Sequence, residues 1–204
     1  LGDGFLTGDL LLSANNLMQA VVDLSVVAQF VKDGALDTLV GQPVSDATSK
    51  IGYVGISMGG FAGTLLSTVE PAIEASVLNV TGGNYAMVLT QSESFMSLLL
   101  DAGIMGGSFA YIQTLHFLQW LGEKVDPYAF APNLIAAPLK DKTFDAADGT
   151  FADGIQMESR DVLVQMVAGD PTTPNSSTEL LANTLGVSLD ESTYSDTTHG
   201  FLGD

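Results

Sequence analysis

The chain has 204 residues, of which 46% are hydrophobic, so it can bury the core of one domain of ordinary size. Its 24 acidic and 6 basic residues give a formal net charge of −18, which disfavours binding to nucleic acids and to anionic lipid headgroups. The chain has no cysteine and only 2 histidines, which excludes disulfides, thiolate metal sites and a cysteine nucleophile, and disfavours a multi-histidine metal site.

The N-terminal residues bear on localisation. They lack the basic region and apolar core of a signal peptide, and no apolar run reaches the roughly 20 residues that a membrane span needs. A leader that was already removed would leave the same sequence. The strong acidity suits an extracellular or periplasmic setting, although a generic solvated surface explains it equally well.

Helical and strand-like patterns alternate along the chain, which is typical of the α/β class. Residues 13–33 have apolar side chains at helical spacing, with Ser13 as the expected N-cap and Gly34 as the end of the helix. The apolar, β-forming run at 51–56 predicts a buried parallel strand, and a helix is expected after Ser57 to about Glu70, where Pro71 ends it.

The second half of the chain continues this alternation. We expect a strand at 75–83, helices at 93–102 and 108–122, a proline-rich irregular return at 126–139, a polar loop at 140–160, a strand at 161–169, a helix near 176–185 and a short strand near 192–196.

A Gly-x-Ser-x-Gly pattern lies between the strand and the helix predicted around Ser57, in the run Gly55-Ile56-Ser57-Met58-Gly59-Gly60. In such a strand–turn–helix, called a nucleophile elbow, a strained backbone lifts the serine hydroxyl above the sheet, and the N–H of Met58 points at a developing oxyanion. The bare pattern is weak, and a glycine-rich turn without a catalytic role is the alternative. The flanking strand and helix favour a nucleophile.

On these residues the chain resembles the α/β-hydrolase superfamily, especially bacterial serine esterases and lipases. The resemblance extends over nearly the whole chain in the order of elements, but its specific part is confined to three short motifs. It implies a mostly parallel sheet with flanking helices and a helical cap. The hydrolase core would comprise residues 1–84 and 140–204, and the cap would be the insertion at 85–139.

A serine nucleophile needs a base, and the chain offers His116 and His199. His116 lies in a helical pattern, where a core or substrate-facing histidine is expected, whereas the resemblance places the base in the C-terminal loop of His199. It places the acid at Asp170, in an Asp-Pro-Thr-Thr-Pro turn similar to the family's Asp-x-x-Val-Pro, with Thr173 in place of the valine. A turn-forming role is the alternative for Asp170, and Asp196 is the alternative acid.

The predicted cap is rich in large apolar side chains, most of which must pack it onto the core. Two apolar helices over the elbow would also form a hydrophobic slot, so we expect Phe95, Phe117 and Trp120 to bind the apolar part of an acyl ester. The expected reaction is carboxylesterase-type or lipase-type hydrolysis through a serine-acyl intermediate, and no cofactor or metal is implied. A non-catalytic hydrolase-fold interaction chain, an acyltransferase and a peptidase are the alternatives.

Part of the superfamily pattern is missing before the elbow. The elbow normally follows the fifth strand of eight, but only 56 residues precede Ser57, and they contain no convincing strand and no His-Gly loop for a second oxyanion donor. The strand at 51–56 would then be an apolar open edge. We therefore expect the missing N-terminal half of the domain as an upstream segment or a second chain. A rearranged minimal hydrolase is the alternative.

Overall fold

The computed structural model describes residues 10–45, 48–101, 103–104, 106–145 and 147–189. Within these ranges the chain forms a three-stranded parallel sheet flanked by helices, and a separate two-stranded antiparallel hairpin. The predicted α/β class is confirmed at this level, while the more specific hydrolase fold stays a prediction.

The elements follow one another as α1 (Leu10–Lys32), α2 (Ala35–Val40), β1 (Ile51–Ile56), α3 (Met58–Val69), β2 (Ile73–Asn79), α4 (Tyr85–Gln91), α5 (Glu93–Asp101), α6 (Phe109–Gly122), α7 (Pro127–Phe130), β3 (Lys140–Asp145), β4 (Thr150–Gln156), β5 (Asp161–Gln165) and α8 (Asn175–Leu185). Short 3₁₀ turns at Glu123–Val125 and Ala131–Asn133 flank α7.

The parallel sheet has the strand order β1-β2-β5. Ile56 pairs with Asn79, and Asn79 pairs with Gln165, so the carboxyl ends of the three strands lie side by side. One face of the sheet is covered, because Leu78 and Val164 are buried in a cluster that includes residues of α8. This register brings the three loops that follow the strands to one edge of the sheet.

Helix α1 packs on α3 through small and apolar side chains, among them Ala14, Leu17 and Val21. The stretch Leu11–Lys32 has a mean hydropathy of 1.3 over its most apolar window, so it is long and apolar enough to cross a membrane, which the sequence-based expectation overlooked. In this structure 22% of that window is buried, and the helix is part of the α/β core. Length and hydropathy alone do not separate these two roles.

Two local expectations about α1 need correction or extension. The helix is already formed at Leu10, so Ser13 lies inside it and is not its N-cap. Gly34 does end the helical run, in a left-handed conformation (φ 71°) that glycine adopts without steric cost, but α2 follows at once and was not predicted.

The segment 140–160 is not the polar loop that its composition predicted. Strands β3 and β4 pair antiparallel, and Lys140 and Lys142 form ion pairs across the hairpin with Asp153. At the turn, Asp145 Oδ1 accepts a hydrogen bond from the N–H of Ala147. Cross-strand charge pairs and a turn-forming aspartate thus make a hairpin from residues whose polarity suggested a loop.

Tyr85 is a buried tyrosine whose ring packs at a tilt on Phe61, with 5.4 Å between the ring centroids. Its hydroxyl donates a hydrogen bond to the carbonyl oxygen of Val125 at 3.3 Å. Burial raises the pKa of Tyr85, and the neighbouring carboxylate of Asp126 raises it further.

We expect the protein to lose stability at alkaline pH through Tyr85. Unfolded tyrosine ionises at about pH 10, while folded Tyr85 keeps its proton to higher pH. The unfolded state therefore binds fewer protons above that pH, and the free energy of unfolding falls as the pH rises. Urea unfolding at a series of pH values should show a shallower alkaline loss for Tyr85→Phe. An alkaline slope in Tyr85→Phe equal to that of the wild type would contradict the assignment.

Candidate active site

Ser57 directly follows β1 and precedes α3, with the unusual backbone angles φ 53° and ψ −118°. Its N–H donates to the carbonyl oxygen of Asn79 at 2.9 Å, and its own carbonyl oxygen accepts from the N–H of Gly60 at 2.8 Å. The residue is exposed at the carboxyl edge of the sheet. A positive φ at a non-glycine residue is strained, and here it presents a serine at the junction of strand and helix.

At the turn around Ser57, helix α3 packs very closely against β1. A Cβ on Gly55 would lie 2.3 Å from the carbonyl oxygen of Gly59, and one on Gly63 would lie 2.2 Å from Cε1 of Tyr53. The Tyr53 hydroxyl donates to the carbonyl oxygen of Gly59 at 2.7 Å and braces the same turn. Glycine is therefore required at these two positions by space.

Gly63→Ala should destabilise the protein by about 1–3 kcal/mol, because the added methyl group overlaps the Tyr53 ring and forces α3 away from β1. Gly106→Ala is the matched control, since a Cβ there meets nothing within 4 Å. Urea unfolding measures both free energies. Equal values for the two variants would show that the helix and strand are not closely packed at the elbow.

The predicted oxyanion donor, Met58, is the first residue of α3. In the part of the chain that the structure describes, neither the N–H of Met58 nor that of Gly59 has a hydrogen-bond acceptor. Both lie at the positive end of a 12-residue helix, which favours a negative charge. This arrangement suits the oxyanion role, which stays a prediction.

The loop after β2 is a second strained segment beside Ser57, and the sequence analysis missed it. Val80 has φ 43° and Asn84 has φ 64°, and the N–H of Val80 donates to the carbonyl oxygen of Gln165. The side chain of Thr81 is fully buried, and its hydroxyl has no partner among the described residues. Backbone strain of this kind clusters at functional sites. The only sequence signal was the Gly-Gly-Asn turn composition at 82–84.

Asp170 follows β5 at the same edge of the sheet as Ser57. Its Oδ1 accepts hydrogen bonds from the N–H groups of Thr172 at 2.8 Å and Thr173 at 2.9 Å. The turn-forming role considered as an alternative is therefore present, and within the described chain Oδ2 is left for another donor. With β2 between their strands, β1 and β5 lie about 10 Å apart, and the loops of Ser57 and Asp170 follow them at the same edge of the sheet.

The histidine predictions have different outcomes. His199 and the alternative acid Asp196 lie outside the described residues, so the structure does not place the base. His116 lies on α6 and is exposed, so the core position is wrong, while the substrate-facing alternative stays a prediction. Its neighbours in the helix are apolar, but the helix turns this position toward solvent.

The three aromatic residues predicted to contact substrate have different environments. Phe95 is partly buried and packs against the core cluster that contains Phe61. Phe117 and Trp120 lie on α6 with 55% and 68% of their surface exposed, and their ring centroids are 6.0 Å apart. Packing thus accounts for Phe95, while a substrate role for the exposed pair stays a prediction.

Asp126 is a buried carboxylate that the sequence analysis did not single out. It is fully buried and accepts hydrogen bonds from the N–H groups of Asn84, Tyr85 and Tyr128 and from Nε2 of Gln119, at 2.7 to 3.0 Å. It thereby joins the strained loop after β2 to α6 and α7. The available signal was the pair Asp126-Pro127, since aspartate before proline is a common start of a helix.

The described residues contain no group of three or more histidine, cysteine, aspartate or glutamate side chains arranged to hold a metal ion. No protein-family model and no curated protein matches the chain. The resemblance to α/β-hydrolases therefore depends on the elbow, the order of elements and the turn at Asp170.

Proposed function

We propose that the chain is the C-terminal part of an α/β-hydrolase and acts as a serine hydrolase on carboxylic esters. The observation that supports this most strongly is the conformation of Ser57, an exposed serine with positive φ between a parallel strand and the start of a helix. A surface serine with no special role would have no reason to occupy a strained backbone at this edge of the sheet.

In the proposed mechanism, the Ser57 hydroxyl attacks the ester carbonyl while His199 takes its proton. The oxyanion that forms accepts a hydrogen bond from the N–H of Met58. His199 then protonates the leaving alcohol, and a water molecule, deprotonated by the same imidazole, releases the acid from Ser57. Asp170 orients the imidazole through Oδ2. A second oxyanion donor would come from the N-terminal part of the domain.

The proposed substrate is an uncharged ester with an apolar acyl group. The net charge of −18 disfavours anionic substrates, and the exposed rings of Phe117 and Trp120 offer an apolar contact near the predicted cap. The same exposed aromatic pair also supports the second candidate, a non-catalytic interaction chain, because Trp and Phe are common at protein interfaces. An acyltransferase or a peptidase would share the same nucleophile.

Reaction with a fluorophosphonate probe, followed by intact mass, separates the two candidates. We expect a single adduct on the chain, and faster hydrolysis of p-nitrophenyl octanoate than of the acetate. Labelling needs the nucleophile and its base, both of which are proposed to lie in this chain, so it tests the proposal even where the second oxyanion donor is absent. A chain that takes no probe would favour the interaction function.

Asp170→Asn should lower the rate of ester hydrolysis by about 10³–10⁴-fold with little loss of stability. The amide oxygen keeps the hydrogen bonds from Thr172 and Thr173, but the other position of the side chain no longer accepts from an imidazole. Asp145→Asn is the matched control, because Asp145 also closes a turn through Oδ1. Equal rates for the two variants would show that Asp170 does not orient the imidazole of His199.

A further inference from the structure

The turn at 170–173, called the acid turn because it carries Asp170, is attached to the predicted cap. The carbonyl oxygen of Pro171 accepts a hydrogen bond from the N–H of Glu93 at 2.9 Å. It also accepts a longer one, at 3.3 Å, from the hydroxyl of Ser92, whose side chain is fully buried. Ser92 lies between α4 and α5, and Glu93 is the first residue of α5. The junction of these two helices therefore holds the acid turn.

The acid turn is fixed at both of its ends. At its start, the Asn175 side chain accepts from the N–H of Gly169 at 2.8 Å and donates to the carbonyl oxygen of Val167 at 2.7 Å. Its outer half, Pro171 and Thr172, is exposed. Within the described chain, the hydrogen bonds that link these two residues to another element all come from the α4–α5 junction. One end of the turn thus follows the core, and the other follows the cap.

This attachment determines where the carboxylate of Asp170 points. Its Oδ1 accepts from the N–H groups of Thr172 and Thr173, which follow directly after the Pro171 carbonyl. A shift of α5 would move these two donors and turn the carboxylate with them. Oδ2, which is proposed to accept from the imidazole of His199, would then leave its position. A misplacement of about 1 Å in a catalytic geometry can lower a rate by about 10²-fold.

We propose that the backbone N–H of Glu93 is a positioning group, which fixes the acid turn so that Asp170 faces the imidazole. The inference rests on the proposed function, in which Asp170 orients His199. It gives the predicted cap a second task beside contact with the substrate, because α5 sets the orientation of the acid. The neighbouring contact between the hydroxyls of Ser94 and Thr172 is exposed, so water replaces it at little cost.

Glu93→Pro removes this donor without breaking the helix. Proline is tolerated at the first position of a helix, where the N–H has no partner within the helix. Ser92 already has φ −73° and ψ 125°, angles that a residue before proline adopts readily. Glu93→Ala is the matched control, because it removes the same side chain and charge but keeps the N–H. Ser92→Ala removes the second, weaker donor and leaves the backbone unchanged.

Glu93→Pro should lower kcat for p-nitrophenyl octanoate by about 10–100-fold and change KM by less than about 2-fold, while Glu93→Ala keeps both at the wild-type values. Hydrogen exchange at the amides of Thr172 and Thr173 should be about 10-fold faster in Glu93→Pro only. In an Asp170→Asn background, Glu93→Pro should lower kcat by less than about 2-fold, because no acid is left to position. Ser92→Ala should lower kcat by a smaller factor than Glu93→Pro.

Equal exchange at these two amides in Glu93→Pro and Glu93→Ala would overturn the inference, since the contact would not hold the turn. An unchanged kcat in both Glu93→Pro and Ser92→Ala would do the same, and so would an equal loss of kcat with and without Asp170. In each of these cases a wild-type chain that takes the fluorophosphonate and hydrolyses the ester keeps the proposed function. A wild-type chain that hydrolyses no ester would overturn the proposed function and this inference with it.

Discussion

Ser57→Ala is expected to abolish labelling by a fluorophosphonate and to lower ester hydrolysis by at least about 10³-fold. The physical reason is that the reaction begins with attack by the Ser57 hydroxyl, and alanine has no atom that can form the acyl intermediate. The substitution should leave the fold intact, because the hydrogen bonds of the turn at Ser57 are made by its backbone N–H and carbonyl oxygen. Serine and alanine both carry a Cβ, so the strain of the positive φ is common to the two residues, and the variant should unfold at nearly the wild-type urea concentration.

Ser94→Ala is the matched control, since Ser94 is exposed on α5 and its hydroxyl contacts that of Thr172. It should keep both the adduct and the rate. Peptide mapping of the labelled wild type should place the adduct on Ser57. An adduct that persists in Ser57→Ala would mean that another residue is the nucleophile, and the strained turn would then need a structural explanation.

Asp126→Ala is expected to lower the free energy of unfolding by more than about 3 kcal/mol, the largest stability effect that we predict, since each buried donor left without an acceptor costs about 1–3 kcal/mol. The carboxylate is fully buried, and its loss leaves three backbone N–H groups and the Gln119 amide without their acceptor. Because domains are stable by only about 5–15 kcal/mol, the variant should unfold at a much lower urea concentration.

Asp148→Ala provides the comparison, because Asp148 accepts from the N–H and hydroxyl of Thr150 on an exposed turn. Exposed groups exchange such bonds for water, so the loss of stability should be much smaller than for Asp126→Ala. Asp126→Asn should fall between the two, since it keeps one acceptor oxygen. If Asp126→Ala and Asp148→Ala lower the free energy of unfolding equally, the buried carboxylate does not stabilise the contact between the β2 loop and α6.

The elbow could be predicted from sequence because all its causes are local. The apolar run at 51–56, the glycines on both sides of Ser57 and the helical pattern that follows lie within one short stretch of chain. The turn at Asp170 is local in the same way, since its carboxylate bonds the N–H groups two and three residues ahead. Short-range patterns of this kind determine the backbone before any distant contact is made.

Tertiary structure alone decided the features that depend on distant residues. The bond partners of Asp126 come from three separated segments, and the strand order β1-β2-β5 joins β2 to a strand more than eighty residues later in the chain. Whether His116 faces the core or solvent depends on how α6 packs, which an apolar sequence around it does not reveal. By itself the sequence determined where the candidate nucleophile lies and which elements flank it. In the part of the chain that the structure describes, the packing of those elements decided that one face of the sheet is exposed and that β1 and β5 form its two edges, because burial is set by what the rest of the chain brings into contact.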